Sequence, residues 1–583
     1  MAPRLSLFYP CCLFALMTNK EIARALRETA QLIELTGGNP YRARALSGAA
    51  RTLRSLDESV ADRAANGTLT DIDGVGDGLS AQINELLDRG SFELRDDLLN
   101  AVPAGLLDVL RVKGLGTKKV RTLWDELGIT TLDELADAAS AGTIEQLDGF
   151  GAKTQSKILR NVKLLRQYST RRRFADVYHD VQPLLSALRA HDAVEQAAPT
   201  GALRRRLETV DAATLIVASH ALDAVQTALA GRDIETTLDD TGPTPCLNGS
   251  LPDGLPLRVW VAPPERFGTA QWHATGSTAH CDAFTDAHGE PDAHGDETDL
   301  YEAAGLPCIE PELREGQGEL DAATNDALPP LITEDDLRGS LHNHSTYSDG
   351  AHSLRQMARA ARSMGLSYFG ICDHSQSLTI ADGLPPERVR EQQAEIEALN
   401  EEFAAEDGPP FRIFSGIESD ILKDGALDYS DDILASFDFV VASVHSGFNM
   451  STEEATERLV RAIENPYTTI LGHATGRLLL VREGYTIDHE RVIAACAKHN
   501  VAIELNANPH RLDMDWRWIR TATEQGVLIS INPDAHATDE LQNVRWGVEV
   551  ARKGWLTAEQ CLNAKSLDDF ADWLDARHVP HAA

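Results

Sequence analysis

The sequence predicts a multidomain chain of mixed α+β and α/β class that ends in a parallel α/β barrel. Three observations predict it. At 583 residues the chain is too long for one core and suits three or four domains. In the first 170 residues a helical pattern broken by G-x-G recurs three times. In the C-terminal 250 or so residues, short apolar runs that stop on histidine or carboxylate alternate with amphipathic stretches.

Residues 5–16, LSLFYPCCLFAL, are apolar but too short to span a bilayer, and no clear small-residue cleavage site follows them. Met17 opens MTNKEIARAL, an ordinary helix start. Residues 1–16 therefore read as a mis-assigned start or an extension. Residues 17–90 read as helices, with Ile22, Ala25, Leu26, Thr29, Leu32 and Ile33 at helical spacing. The repeat comprises DIDGVGDGLSAQINELL (71–87), VLRVKGLGTKKVRTLWDEL (109–127) and IEQLDGFGAKTQSKILRNV (144–162). The last two fall in a second helical segment, 91–170. Glycine permits a tight hairpin between helices, and the helix N-terminus it leaves bare offers N–H groups to a phosphate. Gly74, Gly76, Gly114, Gly116, Gly149 and Gly151, with Lys118, Lys119 and Lys153 beside them, are the expected contacts to a DNA backbone. The alternative is a purely structural array of helical hairpins.

Residues 171–330 form a mixed segment. Within it, CDAFTDAHGEPDAHGDETD (281–299) reads as an acidic loop, and 316–335 reads as a linker. Arg204, Arg205 and Arg206 are either a DNA contact or a solvated helix start.

Residues 331–583 are the expected barrel. Its runs are YFGICDHS (368–375), FRIFSGIES (411–419), FDFVVASVHS (437–446), TTILGHATG (468–476) and VLISINPDAH (527–536). Between them lie amphipathic stretches such as 353–364, 387–404 and 451–464. In a parallel barrel the strand C-termini share one mouth, so residues at the ends of the runs converge. Nine candidate metal ligands emerge: His342, His344, Asp349, His374, Glu418, His445, His473, Asp534 and His536. Imidazole and carboxylate without thiolate suit Zn²⁺, Mn²⁺ or Fe²⁺. Nine ligands divide among two or three ions, an arrangement that clamps the attacking and leaving oxygens of a phosphoester.

The formal charge is -36, and 11 of the 54 basic residues are lysine. Arginine over lysine, with abundant Asp and Ala, fits a protein kept soluble in concentrated salt. This halophilic composition removes the usual basic footprint of a DNA-binding protein without excluding DNA, because salt screens phosphate attraction in any case. Eight scattered cysteines without a C-x-x-C pair suit a reducing cytoplasm and argue against a disulfide framework or zinc finger. No segment reads as a membrane span.

HNHSTYSDG, GICDHS, GIESDIL, ASVHS, GHATGR, NANPHRLDMDW and NPDAH resemble, in order and spacing, the polymerase-and-histidinol-phosphatase (PHP) domain fused to bacterial and archaeal family-X DNA polymerases. The resemblance implies a distorted (β/α)7-type barrel that binds divalent ions, with Mn²⁺ or Zn²⁺ expected. The three glycine repeats resemble the helix-hairpin-helix elements of the lyase and fingers regions. In some members a lysine after the first hairpin forms a Schiff base with an abasic sugar; Gln82 stands there, and Gly78 replaces another basic residue, so lyase chemistry does not carry over.

GALRRRLETVDAATLIVAS (201–219), LPLRVWVAPPERFGTAQWHATGSTAH (255–280) and LYEAAGLPCIEPELRE (300–315) resemble the family's nucleotidyltransferase palm. The family's Asp-x-Asp motif has become Asp211-Ala212-Ala213-Thr214, and the third carboxylate position aligns with Arg258. A shifted register would turn Asp211 to the wrong face, so Mg²⁺ at this palm is not expected. The resemblance then implies a DNA-repair protein, a monomer acting on gapped or 3′-ended duplex, whose barrel is a 3′-to-5′ exonuclease or 3′-end phosphoesterase and whose palm is silent. Glu418 and Asp534 are the expected charged anchors, and Arg477 and Arg511 either hold the scissile phosphate or form structural salt bridges. The alternatives are an active DNA polymerase with an accessory nuclease, a phosphatase of small metabolites, and a non-enzymatic repair scaffold.

Overall fold

The computed structural model describes residues 17–54, 56 and 58–577, and the reading of residues 1–16 lies outside them. Contacts divide the chain into two units after Ser169.

The first unit is helical. Thr18 opens the helix Asn19–Leu35 with a capping box to Glu21, and Pro40–Arg54 packs against it. Two apolar cores follow, one around Leu26, Leu46 and Ile83, the other around Leu106, Leu123 and Ile158. All three glycine repeats share one geometry. The first glycine of each has positive φ (Gly74 +78°, Gly114 +96°, Gly149 +78°), a conformation that glycine adopts without strain. The residue between the glycines, Val75, Leu115 or Phe150, is buried, and the second glycine immediately precedes or caps the next helix. The sequence thus anchors each turn by one apolar side chain and exposes the glycines on either side of it.

The second unit begins with β1 (Arg172–Arg173), β2 (Gln196–Pro199), β3 (Thr209–Val210), β4 (Ala213–Ala218), β5 (Thr237–Asp239), β6 (Cys246–Ser250) and β7 (Pro256–Ala262). β1 and β3 form an antiparallel ribbon, and the others a sheet in the order β2-β4-β7-β6-β5. Next come β8 (Gly339–Ser340), β9 (Tyr368–Ile371), β10 (Arg412–Asp420), β11 (Phe439–Ser443), β12 (Ile470–Leu471), β13 (Ala502–Asn506) and β14 (Ile529–Asn532). These seven are parallel and lie in sequence order. A parallel bridge between Asn343 and Ala535 joins the first strand's extension to the last, nearly closing the barrel. The stretches expected to be amphipathic form helices Leu354–Ser363, Pro386–Ala405 and Thr452–Ile463. The sequence reading missed β8 and β13. One continuous apolar core runs from the β2–β7 sheet into the barrel, where Phe174 and Tyr178 meet Trp546 edge-on.

Two local readings are corrected. The stretch 281–299 is helical at both ends, where it enters Thr278–His288 and Glu297–Ala303, helices that Ser277 and Asp296 cap by accepting from the His280 and Thr298 amides, and only 289–296 between them is loop. Inside the expected linker, Glu319–Thr324 is also a helix, and its buried Glu319 accepts from His280 Nδ1 at 2.7 Å and from the Gly316 and Gln317 amides. No described helix is long and apolar enough to cross a membrane.

Candidate metal centre

Glu418, near the end of β10, is 1 % exposed, and imidazoles surround it. Its Oε1 lies 3.0 Å from His473 Nε2, 3.1 Å from His445 Nε2 and 3.4 Å from His342 Nε2. Its Oε2 lies 2.8 Å from His374 Nδ1 and 3.7 Å from His344 Nε2. Asp534 Oδ1 is 3.3 Å from His344 Nε2 and 3.8 Å from both His342 Nε2 and His536 Nδ1. Asp349 Oδ1 closes the group, 3.4 Å from His536 Nε2 and 3.5 Å from His374 Nε2. The fold thus brings all nine sequence-derived candidates to the strand C-termini of one barrel.

Three overlapping groups have ligand atoms within 4.8 Å of one another: His344, Asp349, His374 and His536; His342, His344 and Asp534; His374, Glu418 and His445. Both Glu418 oxygens, His342 Nε2, both His344 nitrogens and His374 Nδ1 are buried and make no aligned hydrogen bond. Close approach without hydrogen-bond alignment is what donor atoms show when they face a common cation, so the residues fit divalent metal.

The electrostatics agree. Burial, then the neighbouring His536 and His374, push His344 down to about 3, so it stays neutral with lone pairs to offer. Burial opposes ionisation of Asp349, yet the hydrogen bond from His536 and the nearby His344 and His374 hold it at about 2. Burial likewise opposes Glu418 and Asp534. The imidazoles around Glu418, His445 and His342 foremost, and His342 beside Asp534, nevertheless keep both carboxyls well below the ordinary range.

Residues 17–92 match a helix-hairpin-helix domain, 106–163 a SAM-like helix-hairpin-helix tandem, and 340–508 a PHP domain. The chain is 36 % identical over 578 residues to the DNA polymerase/3′-5′ exonuclease PolX of Bacillus subtilis, covering 96 % of this chain and 99 % of that one. The chain belongs to the family-X DNA polymerases with a C-terminal PHP domain. It is also 27 % identical over 233 residues to a probable phosphatase of Thermoanaerobacter, 38 % of this chain and 88 % of that one. A probable phosphatase of Vibrio atlanticus matches at 29 % over 212 residues, 34 % of this chain and 79 % of its own length.

Around this family's barrel mouth the sequence reading passed over two carboxylates. Glu504, fully buried in β13, accepts from His342 Nδ1 at 2.7 Å, from the His473 amide at 2.7 Å and from Asn532 Nδ2 at 3.0 Å. Asp420 accepts from His445 Nδ1 at 2.5 Å. A carboxylate on Nδ1 fixes the tautomer and turns the Nε2 lone pair toward Glu418. The signal for Glu504 was its charge inside the apolar run VAIELN, two residues before the motif that was read. Glu504→Gln is expected to weaken Mn²⁺ binding about 10- to 100-fold while the fold survives, as titration of metal-stripped protein would show. Unchanged affinity would mean that His342 needs no anionic partner.

Other candidates fare differently. Arg511 reaches the centre, its Nε 3.3 Å from Asp534 Oδ2. Arg477 does not, and its reading as a phosphate holder is corrected. Its NH1 pairs with Asp515 at 3.2 Å, its NH2 with Glu208 at 3.2 Å, and its Nε donates to the Arg511 carbonyl at 3.0 Å. The arginine run is neither solvated nor free for DNA: Arg204 pairs with Glu297, Arg205 with Glu315 and Arg206 with Glu549. In the palm, Thr214 on β4 lies opposite Arg258 on β7, and neither strand carries a carboxylate. In the first unit Lys118 and Lys153 are exposed, whereas Lys119 lies over the Phe150 ring at 5.4 Å.

Proposed function

We propose that the barrel hydrolyses phosphoesters at the 3′ ends of duplex or gapped DNA, as an exonuclease or end-cleaning phosphoesterase in repair, and that the palm no longer adds nucleotides. The observation that carries this reading is the convergence of nine imidazole and carboxylate side chains about Glu418 at the barrel mouth. His342, His344, Asp349, His374, Glu418, His445, His473, Asp534 and His536 would hold two or three divalent ions, Mn²⁺ or Zn²⁺. When bound, such ions supply Lewis acidity for phosphoester cleavage. Arg511 holds the scissile phosphate: its Nε lies beside Asp534 at the centre, and its planar guanidinium suits a bidentate grip. The glycine hairpins of the first unit, with Lys118 and Lys153, hold the DNA backbone without reading its sequence.

DNA is favoured over a small metabolite because two helix-hairpin-helix matches precede the barrel, and a metabolite phosphatase has no use for them. A silent palm is favoured because β4 and β7 offer no carboxylate where two metal ions would need three. Purified full-length protein with Mn²⁺ is expected to shorten a 3′-recessed duplex, to release phosphate from p-nitrophenyl phosphate at least about 100-fold less efficiently, and to leave a primer unextended with all four dNTPs. Primer extension that persists in a Glu418→Gln variant would restore the polymerase reading. Faster turnover of the small monoester would restore the phosphatase reading.

A further inference from the structure

We infer that the palm, without catalytic carboxylates of its own, supplies a positioning residue to the nuclease site: Glu208, acting through Arg477 on the loop that carries Arg511. The inference rests on the reading of Arg511 as the phosphate-holding arm.

The contacts run in an unbroken line. Glu208 stands immediately before β3, its carbonyl bonded to the Phe174 amide at 2.9 Å, and its side chain is buried where the ribbon meets the barrel. Its Oε1 lies 3.2 Å from Arg477 NH2. Arg477 follows the His473 strand end and is committed to the next loop. Its Nε donates to the Arg511 carbonyl at 3.0 Å, its NH2 contacts the Leu512 carbonyl, and its own amide donates to Asp513 Oδ2 at 3.3 Å. From that loop the Arg511 side chain reaches back, Nε to Asp534 Oδ2 at 3.3 Å, and Asp534 Oδ1 is 3.3 Å from His344 Nε2.

Two independent observations indicate that this loop needs holding. Leu512 has φ +44°, a left-handed conformation that a leucine does not take unaided. The same palm ribbon also grips the loop at a second point, where Arg173 on β1 meets His510 Nε2 at 2.7 Å. Two successive barrel loops, the one after β12 and the one after β13, are therefore tied to one two-stranded ribbon of the palm. An arginine fork that must meet a phosphate bidentately tolerates little displacement, so a carboxylate that fixes its loop acts on turnover without touching substrate. On this view a palm that has lost its metal site persists because the barrel's arm is mounted on it.

The test uses the full chain and Glu208→Gln, which keeps the shape and removes the charge. Glu549→Gln is the control; it breaks a different palm-to-barrel pair, Arg206–Glu549 at 2.7 Å, away from the loop. Amide hydrogen exchange across residues 508–514 is expected to quicken about tenfold in Glu208→Gln and to stay unchanged in Glu549→Gln. Resection of a 3′-recessed duplex is expected to fall about tenfold in kcat with bound Mn²⁺ unchanged, and Glu208→Asp is expected to recover part of it. In an Arg511→Ala background the same Glu208→Gln change is expected to cost less than about twofold, because the group it acts through is gone. Unchanged exchange at 508–514, or an equal loss in the Arg511→Ala background, would overturn the inference. Should the wild-type chain leave DNA untouched, the nuclease reading falls, and the exchange comparison alone still decides whether Glu208 fixes the loop.

Discussion

Glu418→Gln is expected to lower DNA hydrolysis by about three orders of magnitude or more and to leave the protein unable to retain its divalent ions through gel filtration. Five imidazoles approach this one carboxylate, between 2.8 and 3.7 Å. Glutamine has the same size, so the 1 % exposed position stays filled and the barrel keeps its shape. What changes is charge. The carboxylate is the anion that several imidazoles share, and a neutral amide brings no charge with which to hold divalent ions in its place. Metal analysis of the variant beside its circular dichroism separates the two effects: native spectrum, lost metal, lost hydrolysis. Full metal retention with full hydrolysis would remove Glu418 from the centre, and with it the nuclease proposal.

Most of the barrel was legible because its signals are redundant. A buried parallel strand writes itself as an apolar run, and its C-terminal end is marked when a charged or imidazole residue breaks that run, as at His374, Glu418, His445 and His473. β8, two residues long, is too short to register as a run; β12 is equally short, but the apolar TTIL before Gly472 and His473 made it legible. Glu504 was hard to read for a related reason: it sits within its strand, where a charge contradicts the apolar pattern, and the groups that satisfy it there, His342, the His473 amide and Asn532, are distant in sequence. Arg477 was misread because position after a ligand-bearing strand says nothing of direction; its side chain turns toward Glu208 and Asp515, partners distant in sequence. In the middle segment, composition misled. Acidic, histidine-containing sequence without periodicity suggests a loop, yet Ser277 and Asp296 cap two helices there, and the acid at Glu297 is an internal ion-pair partner, not a solvated charge.

Glu297→Gln is accordingly expected to destabilise the palm by about 3–5 kcal/mol, the cost of leaving buried cations without their anion. Glu297 is 6 % exposed. It accepts from Arg204 at 2.8 and 2.6 Å and from Arg314, itself fully buried, at 2.6 and 3.3 Å. Glutamine keeps the volume and at most part of the hydrogen bonding, so two guanidiniums would face each other in an apolar pocket beside Tyr301. The effect has a pH signature with a defined sign. Burial pushes the Glu297 carboxyl up, but Arg314 and then Arg204 outweigh it and hold the group below its ordinary 4.5. A carboxyl depressed in the folded state contributes its full stability above the unfolded value and loses it as pH falls through the lowered folded one. Thermal unfolding of the wild-type protein should therefore weaken below about pH 4.5 through this group, whereas the variant should start lower and lack this share of the acid decline. A transition unmoved by the substitution near neutral pH would show that Arg204 and Arg314 do not depend on Glu297. In that case Arg204 would again be available to a phosphate, as the arginine run first suggested.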